Sequence, residues 1–187
     1  MLQSVEVTTQ GDPLAMPLYA LTTVPLIRKL SFVSPIKQVW YADDATAAGS
    51  LIHLRLWWDA LVAHGPGFGY YVNSYKTWLV TKDSMAPQAK ELFKDTAINI
   101  TSQGRPHLGA PLGSRDYVDQ FVRDKVSTWS ESLLRLVEVA KIQPHVAHSA
   151  FTHGISNLWQ FLCRTTPNVC HLYLPDWEDW ASPPQLH

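Results

Sequence analysis

The sequence predicts an α+β chain in which a small antiparallel sheet packed on helices is followed by a helical lobe. Three observations carry this reading. The stretch "KQVWYADDATAAGS" at 37–50 is an apolar, strand-like run that ends in two adjacent acids and resumes as a second run of small residues. Residues 115–141 repeat apolar side chains every three or four positions, the spacing of one long amphipathic helix. Hydrophobic residues make up 46% of the 187 and charged ones 17%, enough apolar content for a folded core and too little charge for a disordered chain.

In chain order, Pro13 stands at a first helical position and opens "PLAMPLYALTTVPLIRKL", where Pro17 and Pro25 are expected to kink or shorten the helix. The 37–50 stretch follows as a buried hairpin closed by Gly49 and Ser50. "LIHLRLWWDALVAHG" spaces Leu51, Leu54, Trp58, Leu61 and Val62 as a helix, and Gly65, Pro66 and Gly67 stop it. A turn then leads to a strand at 77–81, a helix at about 86–95 and a strand at 97–101. "SQGRPHLGAPLGS" carries turn signals at both ends of a short extended segment. The helix over 115–141 uses Val118, Val122, Val126, Trp129, Leu133, Leu136 and Ala140. After Pro144, the residues Ala147, Phe151, Leu158, Phe161 and Leu162 mark a second helix, loosened at Gly154. These elements divide the chain into 1–113, 114–166 and an irregular tail at 167–187.

Charge and cysteine usage narrow the function classes. The net charge is −1, whereas proteins that grip nucleic acid usually carry a basic surplus. The tail holds Asp176, Glu178 and Asp179 and no Lys or Arg, so the first 166 residues have 15 bases against 13 acids. Two cysteines make no disulfide framework, and no signal peptide or membrane-spanning run is apparent; the expectation is an intracellular protein, cytoplasmic or nuclear, without a membrane partner. Nothing in the sequence indicates an oligomeric state. Cys163, Cys170 and His171 fit no standard zinc spacing, and Gly154-Ile155-Ser156 lacks the flanking glycine of a hydrolase nucleophile elbow. The eight tryptophans read first as packing residues and second as platforms for bases.

The paired acids Asp43 and Asp44 have two readings. Asp is common in tight turns, which relax the strand rule that neighbouring side chains point to opposite faces. An aromatic strand leading into the pair favours the other reading, because hard cations need oxygen ligands held on a rigid scaffold.

"YADD" at 41–44 matches the Y-x-D-D signature of reverse transcriptases. "QGDPLAMPLYAL" at 10–21 resembles the glycine-containing turn and helix that precede that signature in retrotransposon members. "GYYVNSYKT" at 69–77 is similar to their next segment, which ends in a lysine, and "HLGAPLGS" at 107–114 looks like their primer-gripping hairpin. The four segments occur in the family's order. The resemblance implies a partial polymerase palm over 1–113 and a thumb-like region over 114–166. It implies nucleotidyl transfer from a dNTP to a primer on an RNA or DNA template, with two Mg2+ or Mn2+ ions activating the primer 3′-hydroxyl and stabilising the leaving pyrophosphate. Asp43 would be the metal ligand of this segment and Asp44 a secondary acid. Lys76 would lie near the departing phosphates. Gln10 and Gly11 would sit against the nascent base pair, Tyr41 beneath the primer end, and Leu108 and Gly109 on the primer. Taken without the resemblance, Gln10 and Gly11 read as a helix-entry turn, Tyr41 as core and Lys76 as a solvated lysine.

One departure matters for chemistry. The family takes a further aspartate, and its nucleotide-binding fingers, from sequence well before the glycine-containing turn, and only nine residues precede Gln10 here. Glu6 and Asp12 do not stand in that context. The expectation is a reverse transcriptase fragment without useful activity of its own. The alternative is a non-catalytic nucleic-acid- or protein-binding module that reuses the scaffold.

Overall fold

A computed structural model of the chain describes residues 13–166. They form mixed helix and short strand, in agreement with the α+β reading. Two compact units are present: 13–79 with 85–100, and 80–84 with 101–166.

The first unit begins with α1 (Ala15–Val33), which runs unbroken past both prolines. Pro17 lies in the first turn, where backbone N–H groups have no intrahelical acceptor to lose. Pro25 removes the donor for the carbonyl of Leu21, and Leu21 stands on the exposed side, where water can take that acceptor. The expected shortening therefore does not occur. The antiparallel hairpin of β1 (Lys37–Tyr41) and β2 (Asp44–Ala48) follows, with Tyr41 opposite Asp44 and Trp40 opposite Ala45.

Next is α2 (Leu51–His64). Ser50 caps it by accepting the His53 N–H at 3.4 Å. Beyond two single-turn helical segments, Gly65–Phe68 and Ser74–Lys76, come β3 (Trp78–Val80), α3 (Ala86–Leu92) and β4 (Asn99–Thr101). β3 and β4 pair with each other. Leu26 and Leu30 of α1 and Trp57 and Leu61 of α2 form the buried core, and Trp40, Ala45 and Ala47 of the hairpin pack against it.

Gln38 fastens this core. Its amide Nε2 donates to the Ile27 carbonyl at 2.9 Å and to Ser31 Oγ at 2.7 Å. Its Oε1 accepts from the indole N–H groups of Trp40 and Trp57, each at 3.1 Å. A carbonyl only accepts and an indole only donates, so the partners themselves fix which way the amide points. On the far side of α2, Arg55 pairs with Asp59 at 2.9 Å and with Asp95, donates to the Leu92 carbonyl at 2.7 Å, and lies 5.7 Å from the centre of the Phe93 ring.

In the second unit, β5 (Gly104–His107) and β6 (Ala110–Gly113) form a hairpin in which Gly104 pairs with Gly113. The sequence placed this segment before the helical region; it packs with the helix that follows. A Cβ at Gly104 would meet the Tyr117 ring at 2.4 Å, and one at Gly113 would meet the Gln103 carbonyl oxygen at 2.3 Å. That helix, α4 (Arg115–Ile142), starts on a Ser114 cap that accepts the Tyr117 N–H at 3.3 Å. Then come α5 (Pro144–Ala150), one π-helical turn at Phe151–Ile155 where the sequence expected loosening, and α6 (Ser156–Thr165). Val122 of α4 and Leu162 of α6 are the buried pair, flanked by Val118, Phe121, Val126, Trp129 and Cys163. No helix among the described residues is long and apolar enough to cross a membrane.

Candidate functional site

The acidic tip sits on a folded support. Only Ala42 and Asp43 intervene between β1 and β2, and Ala42 takes a positive φ of 50°, as the primed turns of two-residue hairpins demand. A non-glycine residue in that region carries strain, and the packed strands beneath hold it there. Asp43 lies in the turn, Asp44 is the first residue of β2, and both are exposed.

The hairpin is buried on one face only. Gln38 and Trp40 point inward, whereas Val39 and Tyr41 are 65% and 66% exposed. Tyr41 is therefore not a core residue, and the buried hairpin expected from the apolar run is buried on alternate positions only. The cause is the two-residue side-chain period of a strand.

Beneath the tip stand two tyrosines from separate elements. The Tyr70 hydroxyl donates to the Asp43 carbonyl at 3.0 Å, and its ring meets Trp40 edge to face with centroids 5.1 Å apart. Burial pushes the Tyr70 phenol up to about 12; the charges of Tyr19, Asp44 and Asp43 add to the rise, and a hydrogen bond from the Ala45 backbone opposes it. Tyr19 of α1 is also raised, first by burial and then by Asp43. Its hydroxyl is buried and has no hydrogen-bond partner among the described residues.

Lys76 ends the Ser74–Lys76 turn. Asn73 caps that turn, accepting the Lys76 N–H on its side chain at 3.3 Å and on its carbonyl at 3.1 Å, and the lysine itself is exposed. Its ammonium makes no ion pair with Asp43 or Asp44. Leu108 and Gly109 form the tip of the β5–β6 hairpin with φ of 48° and 84°, and the Phe161 ring lies 3.3 Å from where a Cβ on Gly109 would be. Both residues belong to the second unit. Gln10 and Gly11 lie outside the described residues.

Two adjacent carboxylates do not by themselves make a two-metal centre. Each magnesium ion prefers six oxygen ligands, and a paired site needs carboxylates that reach both ions. Among the described residues no three His, Cys, Asp or Glu side chains converge where a metal could sit. The described residues do not assemble the ligand set that the chemistry requires.

Sequence reasoning did not find Gln38, Tyr70 or Tyr19. Gln38 had a signal, a lone amide at an inward position two residues before Trp40. The tyrosines had none, because their proximity to Asp43 depends on the fold. Comparison with protein-family models, with curated proteins and with solved structures gives no match.

Proposed function

We infer that this chain is a palm-and-thumb portion of a retroelement-type reverse transcriptase that holds a template–primer without extending it by itself. The observation that carries this reading is the Asp43–Asp44 pair at a primed turn whose strands are packed on a core, since a merely solvated turn needs no such support. The four ordered sequence segments support it further. The shortage of carboxylates around the tip among the described residues supports the second half: a further acid, from another segment or a partner, is needed before Mg2+ or Mn2+ could serve nucleotidyl transfer. That same shortage favours the second reading, a binding module that reuses the scaffold without catalysis.

Primer extension on RNA and DNA templates with Mg2+ or Mn2+ tests the claim of inactivity. No product above background is expected, and extension that disappears in Asp43→Ala overturns the claim. Binding tests the ancestry. Five bases and five acids are interspersed along residues 115–141 and give no uniform cationic stripe, so the expected affinity for template–primer is weak and falls with salt. Absence of binding at low salt removes the reverse transcriptase reading.

A further inference from the structure

The two-residue turn leaves Asp43 outside the β-ladder, so something other than strand pairing must fix its backbone. Tyr70 does this from a distant point in the sequence. Its hydroxyl donates to the Asp43 carbonyl at 3.0 Å, so one phenol from outside the hairpin holds the backbone at the peptide that joins Asp43 to Asp44. The ring rests against Trp40, whose indole is in turn held by Gln38.

The backbone of Tyr70 is equally constrained. Its N–H donates to the Gly65 carbonyl at 3.0 Å, Gly69 before it has a φ of 74°, and a Cβ on Gly65 would lie 2.5 Å from the Tyr70 carbonyl oxygen. The segment that ends α2 is thereby shaped to deliver this one side chain to the tip.

We propose that Tyr70 is a positioning residue that sets the direction in which Asp43 and Asp44 project. The use of those carboxylates toward a metal rests on the polymerase reading above; the positioning does not. Tyr70→Phe keeps the ring against Trp40 and deletes only the hydroxyl, and Tyr71→Phe, at a neighbour 76% exposed, is the control.

In NMR spectra of the full chain, Tyr70→Phe is expected to shift the Asp43 carbonyl carbon upfield, as loss of a donated hydrogen bond does. Amide exchange over residues 41–46 should rise about fivefold, the equivalent of one ordinary hydrogen bond. Gly65→Ala, which keeps the hydroxyl but displaces its backbone, should give the same carbonyl shift. Tyr71→Phe should give neither change. Manganese alone serves as the second probe: paramagnetic broadening of the Asp43 and Asp44 signals should need several-fold more metal in Tyr70→Phe than in the parent.

An unchanged carbonyl shift and unchanged exchange in Tyr70→Phe overturn the proposal. If both change while manganese broadens neither protein, the positioning role stands and the metal-directed reading of the tip fails.

Discussion

Replacing Gln38 by Leu tests whether the first unit depends on one amide. The change keeps side-chain bulk and leaves four groups without their partner. Two of them recover at little cost, because the Ile27 carbonyl and the Ser31 hydroxyl stand on partly or fully exposed positions of α1. The indoles do not recover equally. Trp57 is 6% exposed, so its N–H is stranded in the core, while the partly buried Trp40 can reach water more readily. A stranded buried donor costs about 1–3 kcal/mol, and with a smaller loss at Trp40 the total is about 2–4 kcal/mol. Urea unfolding of the full chain, followed by tryptophan fluorescence and circular dichroism, measures it. Gln38→Glu gives an internal check: it keeps both indole acceptors but turns a carboxylate toward the Ile27 carbonyl, so it should be destabilising at neutral pH and recover as the acid is protonated. A loss below about 0.5 kcal/mol for Gln38→Leu, the range of an ordinary surface substitution, would show that the four bonds do not act as the core's fastening.

Other outcomes follow from the same geometry. Gly113→Ala brings a methyl against the Gln103 carbonyl and the Gly104 backbone, neither of which can swing away, and should cost about 1–3 kcal/mol in urea unfolding, with the β5–β6 amides losing exchange protection first. The Arg55 guanidinium, chiefly through its hydrogen bonds, holds the Asp95 carboxyl down at about 2 from an ordinary 3.8. A depressed acid contributes stability above its unfolded value and loses it as pH falls through the folded one; the urea midpoint should therefore drop between pH 4 and 2, and Asp95→Asn should flatten that drop. Tyr70 has the opposite sign. Its raised phenol favours the folded state below pH 10 and loses that contribution as pH climbs toward 12, so Tyr70→Phe should soften the alkaline decline, with tyrosinate absorbance reporting the titration.

Much of the secondary structure was legible because it is written in local periodicity. The span of α4 is one residue longer than the apolar repeat predicts, and the strands at β3 and β4 fall inside the predicted ranges. Gly154 marked the place where the last helix widens. Reading stopped where tertiary context decides. Two prolines are expected to kink or shorten α1, but one occupies the first turn and the other frees a carbonyl on the exposed side. The 102–114 segment reads from sequence as a short extended piece before the helical region; its paired glycines let the β5–β6 hairpin lie close against Gln103 and Tyr117. The acids at 43 and 44 could be picked out by type and placed on a turn. What holds them could not, since Tyr70 is 27 residues away and nothing in its immediate sequence announces a partner.

The wide turn at Phe151–Ile155 sets the phase of everything after it. Each residue of an α-helix advances the face by roughly 100°, and a turn already widened to π geometry has taken up its spare residue, so adding one more to this stretch would rotate α6 by about a quarter turn. Leu162 would swing off Val122, and Phe161 would leave the loop that carries Gly109. A five-residue irregularity with little burial of its own thus works as the key that times the last helix to the hairpin, and single-residue insertions there should be far more damaging than substitutions.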